Sequence, residues 1–230
     1  MLVALLVALL GAACGSGSGS PHDAANLDGT TDAALDASPD AACERTLLVG
    51  GTDVAAQGWT IIMSGPAVLT NGADYVQLQT STMANQTTGD HLLLSYPNAF
   101  TAAPFKLEVV MLVQAVSPHN QFDAAAAIMG AFTSPFGTST ERAQRIYLDT
   151  GAIGWANDSQ SVAATVTDGA YHTYVLSVDA SNTATVTMDG NPVLQRGGFT
   201  VNGTIAIGDQ TNEANVDSTL RIRSVRLLCP

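Results

Sequence analysis

Between residues 105 and 116 the chain reads FKLEVVMLVQAV, with Phe105, Leu107, Val109, Met111 and Val113 on alternate positions. A period of two places one set of side chains on a single face of a β-strand. The rhythm recurs in YHTYVLSVDASNTATVTMDGNPVLQ. There Tyr174, Leu176 and Val178 alternate with Thr173, Val175 and Ser177, and after the short ASN bend Val186 and Met188 alternate with Thr185 and Thr187. Asp189-Gly190 then supplies the pair that a tight hairpin turn requires. Similar runs are RIYLDTGAIGWA and the terminal STLRIRSVRLL. In the last, Leu220, Ile222, Val225 and Leu228 turn inward together only if a β-bulge near Ser224 resets the register. No window keeps the i, i+3, i+4, i+7 spacing long enough for a helix; FDAAAAIMGAF comes nearest and reads as a buried strand. Short runs broken by turn residues at intervals of about 8–12 predict an all-β domain, and about a dozen strands predict two stacked antiparallel sheets.

The amino-terminal pattern is different. LVALLVALL is continuously apolar, about half of the roughly 20 residues that span a bilayer, and no later segment is long and apolar enough to cross one. With the following GAAC it is export chemistry, to be set apart from the fold. LLGAAC, ending at Cys14, resembles a bacterial lipoprotein signal, which implies cleavage before Cys14 and acylation of that residue. The chain departs from the pattern in having Gly11 where a large aliphatic residue is usual and no Lys or Arg ahead of the apolar run. An ordinary signal peptide cut near Ala13 is the alternative. Residues 15–42 are Gly/Ser-rich and then carry Asp23, Asp28, Asp32, Asp36 and Asp40 among small residues. Such a segment cannot bury a core and predicts a disordered acidic linker. The expected organisation is therefore signal peptide 1–13, lipidated Cys14 and linker 14–42, and one β-sandwich at 43–230.

With Cys14 set aside, Cys43 and Cys229 remain, one at each edge of the domain. An exported chain should oxidise them, which requires its first and last strands to lie together. The net charge of −12, with Lys106 as the one lysine, offers no basic stripe for nucleic acid.

GWT at 58–60, DGAYHTYVLSVDASNTATVTMDGNPVL at 168–194, and IAIGDQ followed by LRIRSVRL together resemble laminin-G-like and concanavalin A-like jelly-roll domains, the group that includes legume lectins, pentraxins and laminarinase-type glucanases. The resemblance spans 59–228 and implies a jelly roll whose last strand returns beside its first. Function does not follow from fold.

Laminarinase-type glucanases carry Glu-x-Asp-x-x-Glu on one strand, which sets two carboxylates over one groove. The chain has four glutamates, at 44, 108, 141 and 213, and none begins that motif. A Gly-x-Ser-x-Gly elbow, a His-Glu-x-x-His pair and a phosphate loop are also missing. The histidines at 22, 91, 119 and 172 are scattered, and His172 suits packing or hydrogen bonding on its strand. Two regions remain. The loop GDQTNEANVDS offers Asp209, Asn212, Glu213, Asn215 and Asp217, and the pentraxin likeness matches Asp209, Asn212 and Glu213 to calcium ligands by position. Calcium, with Asp209, Asn212, Glu213 and Asp217 as ligands, and the loop's own Asx turns are the two uses of these oxygens. In QRIYLDTGAIGWAND, Arg145, Tyr147 and Asp149 alternate with inward-facing Ile146 and Leu148, and Trp155 and Asn157 follow on the next strand. Flat rings and fork donors suit a sugar, while Trp155 also suits a core. Asn85, Asn157 and Asn202 head formal glycosylation sequons.

The expectation is a non-catalytic, lipid-anchored module of the bacterial cell envelope, facing the surface or periplasm, that binds an extracellular polysaccharide, with calcium as a candidate cofactor. A surface protein that contacts another protein, and a polysaccharide-acting enzyme without the glucanase motif, are the alternatives.

Overall fold

The alternating run that opened the sequence forms the longest strand of the protein. In the computed structural model, which describes residues 43–80, 90–134, 136–211 and 213–230, it is β6 (Phe105–Val116), with Phe105, Leu107, Val109, Met111 and Val113 all buried. The signal and linker expectations, with Cys14, lie outside the described residues, as does Asn85.

Two antiparallel sheets carry the fold. In the first, β13 (Asn191–Arg196), β12 (Ala184–Met188), β11 (His172–Val178), β6, β15 (Ser218–Leu228), β4 (Val76–Gln79) and β3 (Val68–Asn71) lie in that order. β1 (Arg45–Val49) pairs with the later half of β15, beyond the residues that β4 occupies. In the second, the order is β10 (Ser161–Ala163), β9 (Ala152–Trp155), β8 (Ile146–Asp149), β7 (Ala127–Met129), β14 (Ile205–Asp209), β5 (His91–Tyr96) and β2 (Thr60–Ser64). The predicted all-β sandwich is what forms. Inward residues of both sheets, among them Val109, Met111, Leu220 and Ile222 from the first and Leu92, Leu94, Ile128 and Ile207 from the second, make one core.

Local chemistry explains the details. Asp189 and Gly190 both take positive φ, 51° and 80°, as a type I′ hairpin between β12 and β13 demands. The bulge foreseen in β15 falls between Ile222 and Ser224, and a second register shift between Thr219 and Leu220 carries no sequence signal. One expectation about this strand is corrected. After the bulge, Val225 and Leu227 point inward while Leu228 is half-buried, because alternation resumes from Val225 and puts Leu228 on the other face. The alanine-rich run is a strand, as expected, but β7 keeps only three residues of it, and the buried residues around it have both faces covered. That double burial is why its composition carries no period.

Cys43 and Cys229 are bonded, with Cα atoms 5.2 Å apart across 186 positions of sequence, and β1 lies against β15 as the bridge requires. Closing so long a loop removes denatured-state entropy worth up to about 5 kcal/mol. Replacing both cysteines with alanine should lower the unfolding free energy by about 2–5 kcal/mol in a denaturant titration, with the far-UV β signature retained.

Candidate functional site

The middle of the second sheet, formed by β5, β14, β7 and β8, is largely apolar on both sides. Strand register sets Thr60, Ser95, Ala206 and Met129 in one row and Ile62, Leu93, Gly208, Ala127 and Tyr147 in the next, all on the side away from the core. Leu93, Ala127, Met129, Tyr147 and Ala206 are buried there with Ala124 and Phe132 of the segments that lead into and out of β7. Gly208 (φ 127°) lets two strands meet, since a Cβ would stand 2.3 Å from the Leu92 carbonyl oxygen.

Because these covering segments are largely loop, their polar groups need internal partners. Thr138 caps α1 (Ser139–Ala143) in a capping box with Glu141. The buried Glu141 carboxylate also accepts from Thr133 Oγ1 at 2.8 Å and Asn202 Nδ2 at 2.6 Å. Asn202 in turn exchanges hydrogen bonds with the Phe132 backbone, so this sequon asparagine is a structural tie. Arg145 is 1% exposed and donates to the carbonyls of Phe122, at 3.1 Å, and Phe136. Burial, and then Arg142 nearby, lowers its pKa to about 9 despite Asp123 and Glu141.

A cavity of about 240 Å³ opens where this cover meets the loop after β14, lined by Asp123, Phe136, Arg142, Gln210 and Glu213. Arg142 Nη2 donates to Asp123 Oδ1 at 3.0 Å. Gln210, 1% exposed, donates through Nε2 to the Phe122 carbonyl at 2.9 Å and to Asp123 Oδ1 at 3.3 Å, which fixes the sense of its amide. Among the described residues the opposite atom, Gln210 Oε1, is buried without a donor, and Arg142 Nε is buried without an acceptor. Such orphans are costly in a protein interior. Phe122, whose carbonyl takes both Gln210 and Arg145, has a φ of 65°, strained for a bulky residue. None of Asp123, Phe136, Arg142 or Gln210 was singled out from the sequence; Glu213 was.

The expected sugar face is arranged differently. Trp155 is 0% exposed, packed between the sheets near Phe199 and under the Arg196 guanidinium, so its ring meets no solvent. Arg145 is a strut of the cover, not a fork donor. Tyr147 is also covered: its ring stacks on His119 at 3.7 Å, its hydroxyl donates to Ser161 at 2.7 Å, and Gly154 leaves room beneath it. Asp149 accepts from His119 Nδ1 at 2.6 Å and from the His119 amide at 3.0 Å, while Asp158 faces Nε2 at 3.0 Å. Asn157 is exposed and accepts from Ser159 within its own turn. Tyr147 and Asp149 are thus brought together, by a histidine that the sequence left unassigned. His172 has the hydrogen-bonding role expected, held by Asp189 at 2.7 Å and Asp168 at 3.1 Å.

Among the described residues the calcium set comes together only at Asp209 and Asp217. Asp209 is buried and accepts from Thr80 Oγ1 at 2.7 Å and the Thr211 amide at 2.9 Å. Glu213 lines the cavity instead, and Asn212 is outside the described residues. Asp217 interacts with Asp90 and Asp209. Among the described residues no group of three or more His, Cys, Asp or Glu is placed to hold a metal.

No family model and no curated protein sequence matches the chain. Solved structures do. The exoplasmic/lumenal domain of VIP36 in its Ca2+/Man-bound form aligns with a TM-score of 0.53 at 12% identity, covering 80% of this chain and 88% of that one. The fold is a concanavalin A-like jelly roll. A carbohydrate esterase, vb_24B_21 of the Shiga toxin-encoding bacteriophage phi24B, aligns at 0.51 with 17% identity over 80% and 98% of the two chains. The cellulose induced protein Cip1 aligns at 0.50 with 11% identity over 78% and 96%. At these identities the likeness is one of architecture.

Ionisation ties the cover to pH. Burial lowers the His119 pKa, but its hydrogen bonds to Asp149 and Asp158 and their charges outweigh that, and the net shift is upward from 6.5; His172 behaves likewise with Asp189 and Asp168. Burial, then Asp90, pushes Asp217 up from 3.8 to about 6. A raised folded-state pKa gives stability that is present below the unfolded value and lost as pH rises through the folded one. All three groups therefore stabilise the fold at pH 5 relative to pH 8. The melting temperature should fall across that window, Asp217→Asn should flatten its acidic part, and His119→Asn should flatten its alkaline part.

Proposed function

We propose that this domain is a non-catalytic glycan-binding module, held at the bacterial cell envelope by a lipid on Cys14, and that the cavity of Asp123, Phe136, Arg142, Gln210 and Glu213 receives the sugar. The observation that carries the reading is the paired orphans. A buried acceptor, Gln210 Oε1, and a buried donor, Arg142 Nε, border one cavity. A sugar hydroxyl both donates and accepts, and an aromatic side chain beside such groups suits a pyranose ring. The mannose-bound form of VIP36 shows that this architecture carries sugar in that protein.

The placement of Glu108, Glu141 and Asp123 supports the non-catalytic part: Asp123, which borders the cavity with Glu213, is held by Arg142 and Gln210. Glu108 pairs with Arg226 and Glu141 caps a helix, so neither stands over a groove as a hydrolytic carboxylate. Calcium is not part of the proposed site, since Asp209 is occupied by protein donors and Glu213 alone of the calcium set lines the cavity. A second reading, protein adhesion, has one observation in its favour: Ile61 and Met63 of edge strand β2 and Val68 of edge strand β3 are exposed.

The test is retention on immobilised neutral polysaccharides. Arg142→Ala and Glu213→Ala should each weaken retention at least tenfold with the melting temperature held within a few degrees, and EDTA should leave it unchanged. Absence of retention on every polymer would move the function to the exposed edges.

A further inference from the structure

The cations of this protein are almost all spoken for. Arg45 donates to the Ala99 carbonyl, Arg142 pairs with Asp123, Arg145 is held by carbonyls, and Arg196 donates to Ala143. On the last strand Arg221 donates to Gln77, Arg223 pairs with Asp74, and Arg226 pairs with Glu108. The ammonium of Lys106, the one lysine of the chain, takes part in no hydrogen bond or ion pair among the described residues.

Its surroundings give that isolation a shape. Lys106 lies on the outer side of the first sheet, where strand register aligns it with Ser177 of β11, Thr185 of β12 and Gln195 of β13 in a single row. Their strand neighbours Phe105, Leu107, Leu176, Val178, Ala184 and Val186 are buried in the core, so the row faces away from it. The row floors an open groove of about 450 Å³ that Asp179 and Pro230 also border. Four strands at a spacing of about 4.8 Å make the row roughly 14 Å long. Glu108, two positions on, is tied to Arg226 and does not neutralise the ammonium. Asp179 spends Oδ1 on Ser181 and Thr183 of its own turn.

We propose that this groove is a second glycan site, on the opposite sheet from the first, and that it selects a uronic acid residue. The sugar carboxylate meets the Lys106 ammonium, and ring hydroxyls meet the side chains of Ser177, Thr185 and Gln195. A carboxylate and a ring of hydroxyls on one unit is the chemistry that a single cation beside three neutral hydrogen-bonding groups can satisfy. Asp179 and the net charge of −12 oppose a dianionic phosphate ester, which keeps the selection with singly charged sugars.

The experiment is calorimetric titration of the full chain with trigalacturonic acid and with its carboxyl-reduced trisaccharide. Trigalacturonate should bind, the reduced sugar should bind at least tenfold more weakly, and Lys106→Met should remove the difference while Lys106→Arg restores part of it. In Arg142→Ala, which disables the proposed cavity on the other sheet, the difference between the two trisaccharides should persist, and this separates the groove from that cavity. Because Lys106 holds nothing in the fold, Lys106→Met should melt with the wild type. Equal affinity for the two trisaccharides, no binding of trigalacturonate, or unchanged binding by Lys106→Met would overturn the proposal.

Discussion

The middle of the second sheet has to be dry on both faces, and the functional geometry descends from that constraint. β7, β8 and β14 carry apolar side chains inward and outward alike. A strand buried on one face can leave the other to water; these cannot, so a long stretch of chain is drawn across them. That stretch brings backbone and side-chain polar groups into a dry place, where each needs a partner. Glu141, Asn202 and Arg145 meet most of the demand by tying loop to loop. Where the cover ends, the accounting ends with it, and the unanswered groups on Gln210 and Arg142 stand at the cavity's edge. The cavity is therefore a by-product of sheet burial as much as a separate device.

The same constraint decides how much the sequence could reveal. Period two identified the paired strands of 171–195 and the inward set on β6 because those strands belong to a sheet with one wet face. The Asp-Gly turn and the bulge in β15 were legible because each breaks or demands a local rule. For the second sheet, alternation correctly separated Arg145, Tyr147 and Asp149 from Ile146 and Leu148 but could not say that the outer side would also be covered. A face that looks exposed along the strand is closed by residues far away in sequence, and a sugar platform becomes a stack of His119 on Tyr147. The cavity itself was hidden for the same reason. Asp123, Arg142 and Gln210 come from three separate segments, and none belongs to a spaced motif.

The acidic loop teaches a related lesson about oxygen-rich sequence. Asp209 is the last paired residue of a buried strand, and its side chain enters the protein and is satisfied by Thr80 and the Thr211 amide. Glu213, four residues later, has left the strand and lines the cavity. Closeness in sequence did not become convergence in space, because a strand end and a loop aim their side chains independently.

The bridge between Cys43 and Cys229 also sets how the domain bears load. The preceding chain joins the domain at Cys43, beside the strand pair formed by β1 and β15. Without the bridge, a pull along that chain would act on β1 and strip its ladder hydrogen bonds from β15 one after another, the mode in which strands part most readily. With it, tension entering at Cys43 crosses a covalent bond to the far end of β15, the strand paired with β1, β4 and β6. A pull on this protein from its amino-terminal side is thus borne by the middle of the sheet, and peeling from the edge is not the path by which it would fail.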